Sequence, residues 1–405
     1  MNVGYLVTGC PYDTDSGAAL KLRTILEQTV QVHDCSVFGV CTEDSSAFAA
    51  KFRRSLPRIK VVRVFRTTTG LALRLKQMCC VIEGRPPFEA RGEAKLGAMQ
   101  VAAAVGETGM DVLHIDGISL SPLAARVTSI PVVTSITDAV SRSALLCSQW
   151  EKGLSRRTYF QIQARFMRAC EERLLTRTTI THVVSPVDAA YLKGLRENAT
   201  VRTIGLAVPG SVLRECDSAA GPSGHSSVLI VGNFRVRHVT ESTRTIIDSL
   251  GPGLRRLGGT LTLLGRGATE KFTGSLDEHA NLHLCDYAAS FAQELCRASV
   301  IVLPDVVGTG LKTRALYGLA TRRPVVGTPT AFEGMLLNHN EHCVTANSVS
   351  AIAEAVLALL NDPERTRRIG SAGRAMVEAR YSEETIGHQW LALYEEARLI
   401  GAFRG

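Results

Sequence analysis

The chain reads as an α/β protein of two domains, each built on a parallel β-sheet, and three observations carry that reading. Short apolar runs alternate with longer stretches of helical periodicity from end to end, the pattern of βαβ units covered on both faces. The pattern restarts after CDSAAGPSGHSS at 216–227, a Gly/Ser/Pro-rich stretch that can bury little and reads as a linker. A length of 405 residues is long for one core and suits two domains of about 200 each.

In the first half the apolar runs predict strands at 3–8, 35–40, 60–65, 112–116, 131–136, 182–185 and 201–204. In the second half they fall at 228–231, 260–264, 281–284, 300–303, 324–327 and 343–345. Asp362-Pro363 gives an N-cap with proline at the first helical position, and a helix to Arg380 is followed by a final helical stretch, YSEETIGHQWLALYEEARLI. The expected domains are therefore 1–215 and 228–380, with 381–405 as a terminal helix. Between Trp150 and Leu174 apolar residues recur at helical spacing, with Leu154, Ile162, Phe166, Cys170 and Leu174 on one row and several arginines elsewhere. Such a row is expected to be core, with docking on an anionic membrane as the alternative.

Composition narrows the function classes. Hydrophobic residues make up 45% of the chain, which is ordinary for a globular protein. The net charge of +8 would suit an acidic partner, yet the basic residues are scattered as pairs and aromatic residues are only 5%, so no stacking platform for nucleic acid emerges. The 11 cysteines are dispersed without Cys-x-x-Cys, as expected for buried thiols in a reducing compartment rather than bridges or metal ligands. The N-terminus starts on a strand rather than a basic and apolar leader, and no apolar run reaches transmembrane length, so the expected location is cytoplasmic.

The most informative stretch runs from Val306 to Met335, VVGTGLKTRALYGLATRRPVVGTPTAFEGM. A strand ends at Pro304 and opens into Gly308-Thr309-Gly310, whose glycines let backbone approach an anion. Leu311, Lys312, Thr313 and Arg314 follow at the start of a helix, where N–H groups and the helix dipole favour a diphosphate. A further strand then ends in the polar loop 329–334. Open α/β sheets bind ligands at such carboxyl ends. Gly232 also ends a strand, and Asn233, Arg235, Arg237 and His238 behind it offer donors and cations. Gly265-Arg266-Gly267 ends another; a lone Gly-x-Gly reads as a turn rather than a nicotinamide site. In the first half His114 and Asp116 close one strand and Asp138 follows the next; Asp138 suits either an acceptor hydroxyl or a helix cap. Asp13-Thr14-Asp15 stands just past the first strand and reads as a loop, not a metal site.

The Val306–Met335 block resembles the donor-site signature of retaining GT-B glycosyltransferases, the large family that includes glycogen and sucrose synthases. The nearest form is a bacterial subgroup reading GxGxxxKxLEAxAxGxPVVxTxxxxEG. The glycines, Arg314, Leu316, Ala320, Pro324-Val325-Val326, Thr328 and Glu333-Gly334 fit it. The family's two glutamates, one near the donor sugar and one on the ribose, fall on Thr309 and Tyr317, which leaves nucleotide choice and activity open. The early Ser16-Gly17 loop, MDVLHIDG, IPVVTSITDAVS, ITHVVSPVDAAYL, VLIVGNF, LTLLGRG and CRASVIVLPD look like further landmarks in the expected order.

The resemblance implies two Rossmann-like domains facing across a cleft, with a C-terminal helix crossing back to the first. It implies a nucleotide-diphosphate sugar held by Gly232, Asn233, Arg235, Arg237, Gly265, Arg266, Gly308, Thr309, Gly310, Leu311, Lys312, Thr313, Arg314 and Tyr317. An acceptor would be held by Ser16, Gly17 and Asp116, with Asp138 and His114 as candidate catalytic residues and no metal or further cofactor. The acceptor would be a small molecule, such as a specialised metabolite, or a glycan. A nucleotide-sugar epimerase and a catalytically silent nucleotide-sugar-binding protein are the alternatives.

Overall fold

The computed structural model describes residues 1–13, 16–66, 70–82, 95–222, 224, 226–275 and 281–402. The chain divides into two compact units, Met1–Ala207 with Glu384–Gly405, and Val208–Glu383.

In the first unit the strands are β1 (Asn2–Val7), β2 (Asp34–Cys41), β3 (Lys60–Arg66), β4 (Val112–Asp116), β5 (Val132–Ser135), β6 (Ile180–Val183) and β7 (Val201–Thr203). They form one parallel sheet in the order β3-β2-β1-β4-β5-β6-β7. Its helices are α1 (Gly17–Val32), α2 (Ser45–Ser55), α3 (Gly70–Ile82), α4 (Lys95–Glu107), α5 (Val140–Trp150), α6 (Leu154–Arg177) and α7 (Pro186–Leu195). Strand order reverses between β1 and β4, the position at whose carboxyl ends open α/β sheets bind ligands.

The second unit repeats the plan. Helix α8 (Gly210–Ser218) precedes β8 (Ser227–Val231), α9 (Arg237–Arg256), β9 (Thr260–Leu264), α10 (Ala268–Phe272), β10 (Leu282–Cys285) and α11 (Phe291–Cys296). Then come β11 (Val300–Leu303), α12 (Thr313–Ala320), β12 (Val325–Gly327), β13 (Val344–Thr345), α13 (Val349–Leu360) and α14 (Pro363–Arg380). The strands form a parallel sheet in the order β10-β9-β8-β11-β12-β13, with the reversal between β8 and β11. Every residue of β8 and β11 is buried, as the continuous apolar runs require of strands covered on both faces. Asp362 caps α14 by accepting from Arg365 N–H, with Pro363 at the first helical position.

The last helix, α15 (Glu383–Ala402), counts with the first unit from Glu384 onward. Its buried residues Ile386, Trp390, Leu393, Tyr394 and Ala397 recur at three- and four-residue intervals, one stripe of an amphipathic helix. Gly387 lies against the Gln28 side chain of α1, where a Cβ would meet Cγ at 2.5 Å.

Two expectations change. Residues 216–218 of the expected linker are helical: Val212, Cys216 and Ala219, at helical spacing, pack beside Ala292 and Cys296 of α11. The units consequently divide at Ala207/Val208 rather than after 215, because α8 belongs to the second. The row read as core in α6 is core only at its end: Cys170 and Leu174 are buried, whereas Leu154 is 80% and Ile162 53% exposed.

Candidate functional site

The reversal in the second sheet places two loops side by side, Gly232–Val236 after β8 and Pro304–Lys312 after β11. The first is tied to the loop after β9. Gly232 N–H donates to Leu264 O (3.1 Å) and Phe234 N–H to Arg266 O (2.9 Å). Gly265 lies so close that a Cβ on it would stand 1.9 Å from Gly232 O. Gly265 (φ +137°) and Gly267 (φ +84°) also hold backbone conformations that favour glycine. Both glycines are thus explained by the turn. Arg266 is exposed, as are Asn233, Arg235 and Arg237. Arg235 Nε lies 3.3 Å from Glu270 Oε2, Arg237 Nε pairs with Glu241 at 2.7 Å, and Asn233 Oδ1 accepts from Arg235 N–H. Asp286, after β10, accepts from the Thr269 hydroxyl and from N–H groups at the start of α10, which holds its carboxyl below the usual range.

After β11 the glycine loop is braced by Lys312 from within and by Glu333 from beyond β12. Gly308 and Gly310 take φ +149° and +68°. Lys312, the N-cap of α12, folds back so that Nζ donates to Thr309 O (2.7 Å) and Gly310 O (2.9 Å). Glu333, beyond β12, accepts from Gly310 N–H at 3.2 Å. Arg314 donates from both Nε and Nη2 to the buried carboxylate of Asp305, whose carbonyl accepts from Thr328 Oγ1. Leu311 and Thr309 are buried, and Thr313 is half-buried. Tyr317 is buried with its ring 6.0 Å from that of Phe291. A short loop thus gathers a lysine ammonium, two positive-φ glycines and the start of α12 at the switch point of the sheet, an arrangement able to hold an anion. Asp305, Glu333 and Phe291 were not singled out as site residues; Asp305 directly follows a strand end and Glu333 stands in the matched Glu-Gly pair, but their partners lie 9 to 26 residues away.

In the first unit the residues expected at the strand ends are drawn into the interior. His114 is fully buried, with Tyr5, Trp390 and Tyr394 rings 5.3, 5.4 and 5.9 Å away and the Tyr394 hydroxyl 2.9 Å from Nδ1. Burial lowers its pKa, so it is neutral. As a catalytic candidate it is corrected: its ring is enclosed by core aromatics. Asp116 is held by Lys21, whose Nζ lies 2.9 Å from Oδ1 in an ion pair off the hydrogen-bond line. Burial would raise the Asp116 pKa, but the Lys21 ammonium prevails and holds it at about 2. Lys21 also donates to Ser135 Oγ (2.7 Å), which is 3.0 Å from His182 Nδ1. His182 Nε2 faces Ile204 O at 2.9 Å. A carbonyl only accepts, so Nε2 carries the proton and Ser135 Oγ–H donates to the bare Nδ1.

Ser16 caps α1, accepting from Ala19 N–H at 3.2 Å, and Gly17 opens that helix. Asp138 is half-buried just before α5 but is not its N-cap; that place is Ala139. The helix start is satisfied from α6 by Glu171, which accepts from Ser141 N–H (3.1 Å) and Ser141 Oγ. Desolvation pushes the Glu171 pKa up to about 7 despite these bonds. Asp13 pairs with Lys51 at 2.7 Å, while Thr14 and Asp15 lie outside the described residues. A cavity of about 490 Å³ lined by Val127, Thr128, Thr178 and Gly401 lies at the other edge of this sheet, by the amino ends of β5 and β6.

Residues 225–362, which contain both loops of the second unit, match the family described as Glycosyl transferases group 1. In structure the chain is similar to HepE of Anabaena in complex with UDP, at 13% identity over 98% of this chain and 100% of that one, with a TM-score of 0.67. It is similar to sucrose-phosphate synthase from Thermosynechococcus elongatus, at 18% identity over 98% and 99%, TM-score 0.66. A glycosyltransferase from Rickettsia africae gives 12% identity over 98% of each chain, TM-score 0.66. The fold is GT-B. No curated protein matches in sequence. Among the described residues, no helix of this GT-B chain is long and apolar enough to cross a membrane.

Proposed function

We propose that this chain transfers a sugar from a nucleoside-diphosphate sugar, with retention of anomeric configuration, to a hydroxyl of a small-molecule or glycan acceptor in the cytoplasm. The observation that carries the reading is the coincidence of the group 1 match over 225–362 with a glycine loop, Lys312 and the start of α12 at the switch point of the second sheet. A departing diphosphate gathers negative charge, and fixed positive charge beside it lowers the barrier to bond breaking. Lys312, the N–H groups at the glycine loop and the Arg235/Arg237 loop supply that charge, so the reaction needs no metal and no cofactor beyond the donor. HepE was crystallised with UDP-glucose and with UDP and glucose, which supports a nucleotide sugar as the ligand class.

The first unit is the acceptor side in this reading. Asp138 positions or deprotonates the attacking hydroxyl. Asp116, fixed by Lys21, stands with Ser16 and Gly17 beyond the carboxyl ends of β1 and β4, where strand order reverses.

The test begins with a thermal-shift screen of UDP-, GDP-, dTDP- and ADP-sugars, since a ligand that binds the native state raises its apparent stability. Donors that bind are then incubated with candidate acceptors and EDTA, and the product anomer is read by NMR. Transfer with the donor's configuration is expected. Free epimer without acceptor would assign an epimerase, and tight binding with neither transfer nor hydrolysis a silent binding protein.

A further inference from the structure

Two thiols meet where α8 packs on α11. Cys216 and Cys296 lie with Ala292 in a small apolar cluster, and the Cys216 S–H donates to Cys296 Sγ. Bonds on either side of Cys216 fix this approach. Glu215 accepts from the hydroxyl of Ser290, the N-cap of α11, while Asp217 pairs with Arg322 at 2.6 Å and with the buried Arg374 at 3.2 Å. The thiols are thus held in contact by interactions that do not depend on them. They also lie close below the surface: Cys296 is 1% and Cys216 9% exposed, and Val212 and Ala219, packed against them, are only partly buried.

Charge separates the two sulfurs. Arg323, half-buried, donates from Nε to Cys296 O at 3.3 Å, and among the described residues no carboxylate pairs with it. Desolvation lowers the pKa of this guanidinium, and a thiolate at Cys296 raises it. The reciprocal effect falls on the thiol. The Cys216 S–H bond first, and Arg323 and Arg374 after it, hold Cys296 below the usual thiol range against the cost of burial. The same bond, with burial, raises Cys216. A thiolate rather than a thiol is the nucleophile toward peroxide, so the pair divides into an attacking sulfur, Cys296, and a resolving one, Cys216.

We propose that Cys296 and Cys216 form a reversible redox pair, oxidised by peroxide to a disulfide that ties α8 to α11. The Cys296 thiolate attacks one oxygen of hydrogen peroxide; S–O forms as O–O breaks, leaving a sulfenic acid, and the departing hydroxide takes up a proton to become water. Cys216 Sγ then attacks the Cys296 sulfur, S–S forms as S–O breaks, and the hydroxyl leaves with the Cys216 proton as a second water. Two thiols lose two electrons and one peroxide is reduced to two waters; a dithiol reverses the bridge by exchange. Transient bridges of this kind are the ones a reducing compartment permits. Phe291 of α11 packs on Tyr317, so the bridge also fixes the helix behind that side chain. The inference is independent of the sugar-transfer reading.

The experiment treats the full chain, reduced and then freed of reductant, with one equivalent of hydrogen peroxide. Remaining thiols are alkylated and the peptides mapped by mass spectrometry without reduction. A Cys216–Cys296 crosslink is expected, and its loss on adding dithiothreitol. Cys216→Ser should abolish the crosslink and leave a sulfenic acid on Cys296 that dimedone captures; Cys296→Ser should abolish it and leave Cys216 without adduct. Arg323→Met should slow bridging, by about threefold for each tenfold loss of thiolate, because a more basic sulfur regains part of the rate as a nucleophile. If the serine variants fail to fold, the wild-type map and the Arg323→Met rate carry the test. No crosslink, oxidation confined to the exposed Cys79, or a bridge between another pair overturns the proposal. A dimedone adduct on Cys216 in Cys296→Ser, or bridging as fast in Arg323→Met as in wild type, overturns Cys296 as the attacking sulfur.

Discussion

At the carboxyl edge of the first sheet, Lys21, Asp116, Ser135 and His182 are joined to one another, with His114 beside them under Trp390 and Tyr394 of α15. At the same edge of the second sheet, the loops after β8 and β11 present glycine backbone, a helix start and exposed cations instead. Both edges arise from the same strand-order reversal, so topology alone does not separate them. The difference lies in what each edge must satisfy. Long polar side chains turned into an interior have to pair, and once paired they fix the sheet to its helices. Glycine loops carry fewer side chains to pair, and here part of their backbone is engaged locally, Gly310 N–H by Glu333 and Gly310 O by Lys312. In the function proposed above, the anion-binding role accordingly falls to the second unit and the acceptor side to the first.

The largest expected effect breaks the first edge. Lys21→Met would leave the Asp116 carboxylate without its cation in a largely buried site, a loss of about 3 to 5 kcal/mol. Urea unfolding followed by tryptophan fluorescence reports on this unit, since Trp150 and Trp390 both lie in it. A midpoint equal to wild type would mean that the pair is not what holds the edge. The pH dependence follows from the same groups. His114 and His182 are lowered from 6.5 by burial, so below about pH 6.5 the unfolded chain binds protons that the folded chain does not, and stability falls. Asp116, lowered from 3.8 to about 2, contributes stability above 3.8 that is lost as pH falls through about 2.

The next effect tests the second edge. Lys312→Ala should weaken nucleoside-diphosphate binding by about 1.5 to 3 kcal/mol, the value of a charge-assisted contact, as read by calorimetry. Arg314→Ala should also lower stability, because it strands the Asp305 carboxylate. Unchanged binding in both variants would remove the diphosphate assignment.

A smaller effect sharpens the picture of the first unit. Glu171 has its pKa raised from 4.5 to about 7 by desolvation, so its burial costs stability progressively as pH rises through that interval. Glu171→Gln keeps an acceptor for Ser141 and removes the charge. The variant should match wild type near pH 4.5 and exceed it above pH 7 by up to about 3 kcal/mol. Equal melting temperatures at both pH values would show that the carboxylate is adequately solvated.

What the sequence disclosed follows from the range of the interactions. Strands such as Val300–Leu303 and the loop Gly308-Thr309-Gly310 were legible because local apolar pattern and glycine placement determine them. Helix α8 is not legible in the sequence because Gly221 and Pro222 dominate the stretch after it, while the Val212, Cys216, Ala219 spacing is short and depends on α11 for its burial. The first-unit network was not legible at all. Lys21, Asp116, Ser135 and His182 are separated by tens of residues and meet only through the pairing of β4, β5 and β6 and the packing of α1. His114 is polar near a strand end and suits a structural or a catalytic role in the sequence; two of the three aromatics that enclose it, Trp390 and Tyr394, come from α15, nearly three hundred residues later.

The smallest expected effect concerns Tyr317, one helical turn into α12 and buried against Phe291. A carboxylate can accept from both hydroxyls of a ribose, whereas a phenol offers one hydrogen and a single oxygen. The carboxylates around this edge are engaged within the protein: Asp305 by Arg314, Glu333 by Gly310 N–H, and Asp286 by the start of α10. A 2′-hydroxyl therefore gains little at this site. Wild type should bind dTDP and UDP within about 1 kcal/mol of each other, less than the value of one hydrogen bond to a charged group. Tyr317→Glu should move the ratio toward UDP, and 2′-deoxy-UDP separates the sugar's contribution from that of the thymine methyl. A strong wild-type preference for UDP over both deoxynucleotides, unaltered by the substitution, would place ribose recognition elsewhere and refute the assignment of Tyr317.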